Sequence, residues 1–371
     1  MHLFAQMDGG NIVFQGQQGD RCLLAIRQDS QSHFYQWFYF GIQSAQAKTL
    51  VITNAAGAAY PEGWQDYQAL ASDDLQHWYR VPTQYQDGQL LIEHQPSQGQ
   101  RWYAYFVPYG YVRYLQALAT WQQRPEVSWT ALGRTVQGRA IDLLTLGQAG
   151  KPKIWLSARQ HPGETMASWY IEALINALLD TPLGAELRQQ AQFFVLPHLN
   201  PDGAVLGNLR TNAQGINLNR EWAQPCMQRS PEVYLARQAM EARGVDLYID
   251  VHGDESLPWN FMAGQLGADV SEAILAQEQA FKEWYCQASV DFQQEQGYAP
   301  GQFGSEALSM ATFWVGNRFS CPALTLEMPF KEHWRQPQVP MPAEPGWSVA
   351  RTQELAKALL KPLQLWLHSR A

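Results

Sequence analysis

The sequence predicts two folds in one chain. An all-β sandwich is expected over residues 1–115, and an α/β domain with a mostly parallel, mixed sheet flanked by helices over residues 116–371. The length of 371 residues favours two domains, because single domains average about 150 residues. The hydrophobic pattern also changes near residue 150, from short strands between turns to strands alternating with helices.

The first part of the chain has the pattern of short strands separated by Gly, Asn, Asp or Pro. The aromatic and β-branched segments predicted as strands are 11–14, 22–26, 33–41, 49–53, 89–93 and 101–107. The run FYQWFYF at 34–40 is typical of a strand buried on both faces. Several short strands at this spacing favour a sandwich.

The second part of the chain alternates strands with helices. Strands are predicted at 153–158, 192–197, 246–251 and 323–328, and helices at 165–180, 231–243, 271–288 and 348–367, the last kinked near Pro362. Ser230 and Pro231 form a helix start signal, and Gly244 is a stop signal. This alternation predicts a mostly parallel sheet covered by helices.

Composition excludes several classes of partner. With 34 acidic and 26 basic residues, a formal charge of −8 and no Lys/Arg-rich run, neither nucleic acid nor an anionic membrane is expected as a partner. Residues 1–27 lack a secretory pattern, and no run approaches the roughly 20 apolar residues of a membrane span. The four cysteines are scattered without a C-x-x-C pair, which favours a reducing compartment. We therefore expect a cytoplasmic protein, and the oligomeric state stays open.

Side chains that can bind a metal lie at the ends of three of these strands. His161 and Glu164 follow the first strand of the second part, His252 follows the third, and Glu327 lies near the end of the fourth. The carboxyl ends of parallel strands meet at one edge of a sheet. A catalytic zinc site needs three N or O ligands, an open position and a nearby general base. The pattern therefore predicts one zinc ion per chain at this edge.

Other side chains near the strand ends compete for these roles. His198 also follows a strand, but the turn signal Asn-Pro-Asp-Gly after it favours a loop residue. Asp254 and Glu255 lie just beyond the second histidine and are expected either to orient a ligand or to be solvated. The polar segment 291–304 and the proline-rich segment 329–347 are either surface loops or walls of a substrate entrance.

The segment between the metal-binding stretches is rich in asparagine and arginine. Arginine binds carboxylates through two parallel hydrogen bonds, so Arg220 beside Asn219 can hold a substrate carboxylate. Arg210 can stabilise a developing oxyanion. An asparagine-rich turn with solvated arginines is the alternative interpretation.

Taken together, these stretches resemble the zinc carboxypeptidase family and, within it, the cytosolic carboxypeptidase subgroup. The shared runs are HPGE, GNxR, NLNRxW, DxHG and TLE, and the resemblance covers roughly residues 120–365. The runs QWFYF and VPYGYVRYL resemble the β-sandwich domain that precedes the catalytic domain in that subgroup. The resemblance implies a metallocarboxypeptidase that removes C-terminal amino acids from peptides or proteins.

The resemblance also implies the metal ligands and the catalytic base. It makes His161, Glu164 and His252 the zinc ligands, and Glu327 the general base that takes a proton from water. Many secreted members have an arginine before the ligand glutamate, whereas this chain has Gly163, as the cytosolic subgroup does.

For the substrate, the resemblance implies that Arg210 polarises the scissile carbonyl and that Asn219 and Arg220 hold the terminal carboxylate. Because the subgroup acts on C-terminal glutamates, Arg318, nine residues before the catalytic glutamate, is a candidate partner for an acidic side chain. The family's mobile tyrosine has no firm counterpart, although Tyr298 is the only tyrosine between residues 286 and 327.

Two other functions stay open at this stage. One is a zinc-dependent deacylase of N-acyl amino acids on the same fold, which the preceding β-sandwich disfavours. The other is a non-catalytic, zinc-containing peptide-binding module, which a retained base and a retained Arg210 disfavour.

Overall fold

Two antiparallel-rich sheets form the N-terminal part of the chain in the computed structural model. The structure describes residues 1–96, 99–266, 270–299, 301–331 and 346–370. The strands of this part are β1 (His2–Phe4), β2 (Val13–Gln18), β3 (Arg21–Ala25), β4 (Tyr39–Gln43), β5 (Lys48–Ile52), β6 (Leu70–Ser72), β7 (Tyr79–Arg80), β8 (Thr83–Gln86), β9 (Gln89–His94) and β10 (Arg101–Ala104). They form two five-stranded sheets, in the orders β1-β4-β10-β6-β7 and β2-β3-β5-β9-β8.

The two sheets share one hydrophobic core, which confirms the predicted sandwich. Leu50 of β5 pairs with Ile92 of β9 in one sheet, and Phe40 of β4 pairs with Tyr103 of β10 in the other. All four side chains are buried in the same cluster. Alternate residues of a strand point to one face, so each strand contributes every second side chain to this core.

The aromatic run at 34–40 is only partly a strand, because β4 begins at Tyr39. The residues before it use their side chains to hold neighbouring loops. Tyr35 donates to the carbonyl of Asn54 at 2.9 Å, and Gln36 donates to the carbonyl of Tyr60 at 2.9 Å. The short strands β1, β6, β7 and β8 were not predicted, since two to four residues carry little periodic signal.

A seven-stranded mixed sheet forms the second part of the chain. Its strands are β11 (Val127–Arg134), β12 (Ala140–Gly147), β13 (Lys153–Ala158), β14 (Gln192–Leu196), β15 (Leu247–Val251), β16 (Phe261–Ala263) and β17 (Ala323–Glu327). Their order is β11-β12-β14-β13-β15-β17-β16. The four central strands are parallel, and the outer strands run antiparallel to their neighbours. This agrees with the α/β prediction.

Helices cover both faces of this sheet. They are α1 (Tyr111–Gln122), α2 (Thr165–Asp180), α3 (Pro182–Gln190), α4 (Pro201–Leu206), α5 (Pro231–Arg243), α6 (Glu272–Ala288), α7 (Ala311–Phe319), α8 (Val349–Ala358) and α9 (Leu360–Ser369). Short 3₁₀ turns occur at Ala55–Gly57, Pro61–Trp64, Leu218–Arg220 and Gly304–Ser309. On β13, Ile154 and Leu156 pack with α2, whereas Trp155 between them packs with α5 and α7.

The helix predicted at the end of the chain is divided into α8 and α9 at Leu359, close to Pro362. The division expected between residues 115 and 116 falls within α1, and it stays a prediction. Of the proline-rich segment 329–347, residues 332–345 lie outside the described residues. Within the described residues, no helix combines the length and the apolarity that a membrane crossing requires.

Candidate active site

The metal-binding side chains predicted from separate strands lie together at the carboxyl edge of the parallel strands. His161, Glu164 and His252 each offer one ligand atom, and these atoms lie within 4.8 Å of one another. All three residues are buried. Arg159 turns the chain away from β13 with a φ of 63°, and the amide of His252 donates to the carbonyl of Leu326 in β17 at 2.8 Å.

Both imidazoles turn the same nitrogen atom toward one carboxylate. The Nδ1 atom of His161 lies 2.6 Å from Oε1 of Glu164, and Nδ1 of His252 lies 2.8 Å from its Oε2. The amide of Gly253 also donates to Oε2, at 3.1 Å. The ring centroids are 4.8 Å apart. Glu164 is therefore placed between the two rings.

The other nitrogen atom of each ring faces an oxygen acceptor. Nε2 of His161 lies 3.1 Å from Oδ1 of Asn217, and Nε2 of His252 lies 2.9 Å from Oδ2 of Asp250. Both nitrogens of each ring face oxygen acceptors, so a neutral ring can carry its single proton on Nε2. In that tautomer the Nδ1 lone pair is free to bind a metal, and the Nε2 acceptor orients the ring.

A chain of hydrogen bonds holds Asp250 in place behind His252. The Ser157 hydroxyl donates to Asp250 Oδ1 at 2.5 Å, and the Gln160 amide donates to Oδ2. The Trp222 indole donates to the side-chain oxygen Oε1 of Gln160 at 2.9 Å. Asp250 begins the DxHG run and Asn217 begins the NLNRxW run, yet neither residue was predicted to have a role. The signal was therefore present but not interpreted.

The protonation of these groups reflects burial and close charges. Burial and, to a smaller extent, the charge of Arg210 lower the pKa of His161 to about 4. Burial opposes the charging of His252, but Asp250 and Glu164 outweigh it and raise the pKa of this ring well above its usual value. A proton on His252 supplies positive charge between the carboxylates of Glu164 and Asp250, and a metal cation at the same point would take its place. Two imidazoles and one carboxylate are a donor set of catalytic zinc sites, so the residues fit zinc.

Glu327 ends β17 beside this cluster and has one unused oxygen atom. Its Oε1 lies 3.1 Å from the Tyr298 hydroxyl, while its buried Oε2 has no hydrogen bond to any described residue. Tyr298 also donates to Asp254 Oδ2 at 2.6 Å. Burial raises the pKa of Glu327 well above its usual value. The loop 291–304 thus contributes to the site through Tyr298, a contact that no sequence periodicity could have indicated.

Arg210 lies at the boundary between the two domains. Its guanidinium carbon is 5.7 Å from the ring centre of Phe34 and 5.5 Å from that of Tyr60. Burial alone would lower the pKa of Arg210, but Tyr60, Glu255 and the more distant Glu164 raise it overall. The cation therefore stays charged in a half-buried position.

Asn219 and Arg220 lie together on a 3₁₀ turn close to Arg210. The amide of Ala311 donates to Oδ1 of Asn219 at 2.8 Å. The Nδ2 atom of Asn219 has no partner among the described residues. Arg220 donates to the carbonyl of Asn219 at 2.8 Å, and its Nε atom is 3.5 Å from the exposed carboxylate of Glu306. Burial and the charge of Arg210 lower the pKa of Arg220. Two close cations favour an anion between them.

The structure places Arg318, the expected partner for an acidic side chain, away from the metal-binding cluster. Its side chain is 54% exposed and pairs with Glu241 of α5 at 3.4 Å. It lies in the last turn of α7, just before β17 begins, and therefore at the edge of the sheet opposite to the metal-binding cluster. Because the whole length of β17 lies between Arg318 and Glu327, the Arg318 side chain is far from the site.

Of the remaining candidates, His198 and Glu255 are buried and Asp254 is half-buried. His198 packs edge-on against Tyr114 with ring centroids 5.2 Å apart, and neither of its ring nitrogens has a partner in the described part of the chain. It lies outside the metal-binding cluster. Asp254 orients Tyr298, and Glu255 is buried near Arg210.

Known proteins show the same two-part organisation. Residues 3–106 match the cytosolic carboxypeptidase N-terminal domain, and residues 111–333 match the zinc carboxypeptidase family. A metallo-carboxypeptidase from Burkholderia cenocepacia has a TM-score of 0.94 and 40% identity, with 99% of each chain covered. One from Pseudomonas aeruginosa has a TM-score of 0.93 and 38% identity, with 100% of each chain covered.

More distant relatives are longer proteins. Human cytosolic carboxypeptidase 6 is 27% identical over 328 residues, which are 80% of this chain and 63% of that protein. The family match covers more than half of the chain, and the similar solved structures span all or nearly all of it. The chain therefore belongs to the zinc carboxypeptidase family and is a peptidase with the N-terminal domain of the cytosolic carboxypeptidases.

Proposed function

We propose that this protein removes C-terminal amino acids from peptides or proteins in the cytoplasm, with one zinc ion bound per chain. The observation that carries the proposal is the convergence of His161, Glu164 and His252 on one buried point. Glu327 lies beside them with an oxygen atom that no described residue binds. These three ligands and one base are the parts that a zinc hydrolase needs.

The roles of the residues follow from their positions. When bound, zinc supplies Lewis-acid chemistry that makes water a stronger nucleophile and polarises a carbonyl oxygen. Glu327 accepts a proton from the attacking water through Oε2 and returns it to the nitrogen of the amine that leaves as the C–N bond breaks. Tyr298 keeps the other oxygen of Glu327 in place. Arg210 donates hydrogen bonds to the carbonyl oxygen as negative charge develops there.

The substrate's free carboxylate is the group that selects chain ends. Arg220 already contacts a carboxylate, that of Glu306, and Asn219 has an amide group available to donate. Binding an internal peptide bond would leave the buried Asn219 amide without an acceptor and would place no carboxylate beside Arg210 and Arg220, which is costly. The ligand named for the Pseudomonas aeruginosa enzyme, (2-guanidinoethylmercapto)succinic acid, carries two carboxylates and suits such a site.

Arg318 lies at the opposite edge of the sheet, so a preference for acidic C-terminal residues needs a different cation. A cavity of about 640 Å³ opens beside Tyr298, and Phe303 and Phe313 also line it. Lys282 is the one basic side chain among the described residues that line this cavity, which also contains Glu295. We assign the acidic preference to Lys282.

The first prediction concerns the metal. Glu164→Ala should bind zinc more than about 100-fold more weakly than the unchanged protein. Loss of a residue that only orients a ligand already lowers metal affinity by about 10–100-fold. Zinc should raise the melting temperature of the unchanged protein and not that of the variant. Competition with a chelating dye measures the affinity. The surface variant Glu283→Gln is the control, and equal zinc affinity in Glu164→Ala would contradict the ligand assignment.

The second prediction concerns the base. Glu327→Gln should lower kcat by about 10²–10⁴-fold, the usual contribution of general acid–base catalysis, with zinc still bound. Mass spectrometry of shortened peptides gives the rate, and metal analysis gives the zinc content. Turnover comparable to that of the unchanged protein would exclude the role of Glu327.

The third prediction concerns the substrate's end. Peptides with a free C-terminal carboxylate should be shortened, and the same peptides with a C-terminal amide should not. Arg220→Ala should lower kcat/KM on the free acids by about 10–100-fold, the value of a charged hydrogen bond of about 1.5–3 kcal/mol. Arg318→Ala is a matched arginine control and should have no effect.

Two results would favour the rival functions. Hydrolysis of N-acetyl amino acids without shortening of any peptide would indicate a deacylase. Tight peptide binding without any cleavage by the zinc-loaded protein would indicate a binding module.

The fourth prediction concerns acidic residues. Lys282→Gln should lower the ratio of kcat/KM for peptides ending in Glu to that for peptides ending in Gln by about two- to fivefold, the size of a partly exposed ion pair. Paired peptides assayed in one mixture give this ratio directly. An unchanged ratio would remove Lys282 from substrate selection.

A further inference from the structure

A loop of the N-terminal domain grips the segment that carries Arg210. The Asp29 carboxylate, in the loop between β3 and β4, accepts hydrogen bonds from the amides of Leu209 at 2.6 Å, Arg210 at 2.8 Å and Thr211 at 2.9 Å. The Thr211 hydroxyl adds a fourth at 3.0 Å. Asp29 is buried, which raises the pKa of its carboxyl above the usual value, and the donors of 209–211 oppose this rise.

The chain on the N-terminal side of these residues is held by the same domain. Ser30 donates to Oδ1 of Asn208 from its amide at 3.1 Å and from its hydroxyl at 3.2 Å. Asn11 donates to the carbonyl of Gly207 at 2.9 Å. Gly207 has a φ of 71°, and a Cβ atom there would lie 2.7 Å from the carbonyl oxygen of Gly10, so the two domains touch through their backbones.

The side chain of Arg210 is also surrounded by the N-terminal domain. The rings of Phe34 and Tyr60 both lie within 5.7 Å of its guanidinium carbon, close enough for cation–π attraction. The amide of Asp29 donates to the carbonyl of Phe34 at 2.7 Å, so the carboxylate and one of the two rings belong to a single closed turn. This turn fixes both the backbone and the side chain of Arg210.

We propose that Asp29 is a positioning residue for catalysis, through which the N-terminal domain holds Arg210 in its working position. This inference rests on the proposed role of Arg210 at the scissile carbonyl. A carboxylate that accepts three successive amide hydrogen bonds restricts the φ and ψ angles of the segment 209–211. A guanidinium that stabilises developing charge must be placed within about 0.5 Å, and a displacement of about 1 Å can cost 10²-fold in rate.

The test is a double-mutant cycle on the zinc-loaded, full-length protein. Asp29→Asn should lower kcat by about 10–100-fold and leave KM and zinc affinity nearly unchanged. In an Arg210→Ala background, the same substitution should lower kcat by less than about twofold, because the group it positions is already absent. Phe34→Leu, which removes only one ring, should show the same dependence on Arg210 and serves if Asp29→Asn does not fold.

Lys331→Met is the matched control, because Lys331 is buried and donates across the domain boundary to the carbonyl of Gln65 at 3.0 Å, at a segment other than 207–211. It should lower the melting temperature by as much as Asp29→Asn does and leave kcat unchanged. If Asp29→Asn costs the same factor in both backgrounds, or if Lys331→Met lowers kcat equally, Asp29 is only structural and the inference fails. If Arg210→Ala itself retains full activity, the proposed role of Arg210 fails instead.

Discussion

Three buried electron-pair donors that face one another are the constraint on which the rest of the site depends. The Nδ1 atoms of His161 and His252 both point at the Glu164 carboxylate, within a site from which water is largely excluded. A positive charge between these groups makes the arrangement favourable, and either a proton on His252 or a metal cation can supply it. A metal bound in place of that proton would stabilise the folded state.

The parallel sheet provides the rigidity that such an arrangement requires. Neighbouring strands β13 and β15 place Ser157 and Asp250 side by side, and their hydrogen bond fixes the carboxylate that orients His252. Gln160 and Trp222 extend this support from the strand to a loop. Ligands carried on strand ends and secured from behind can keep a geometry that a loop alone could not.

The sequence indicated the position of a site residue where that residue lies at the end of a regular strand, and not where it lies in an irregular loop. His161, His252 and Glu327 could be placed together because periodic hydrophobic runs located the strands that end beside them. Asp29 could not be connected to Arg210, because a contact between residues 181 apart in an irregular loop leaves no periodic pattern. Arg318 does not lie beside the cluster for a related reason, since its expected place came from sequence distance and not from the direction of β17.

The distribution of charge explains how one site can select a chain end and hydrolyse the adjacent bond. Acidic groups surround the metal-binding point, whereas Arg210 and Arg220 lie together on the side of the N-terminal domain and repel one another. A C-terminal residue has the complementary arrangement, with a carboxylate at one end and a polarisable carbonyl one residue before it. Because Phe34 and Tyr60 flank Arg210, the N-terminal domain contributes directly to this cationic side. A catalytic domain without the N-terminal domain would therefore keep the proposed zinc ligands. It would lose the side chains that hold Arg210, the cation that the proposed reaction uses.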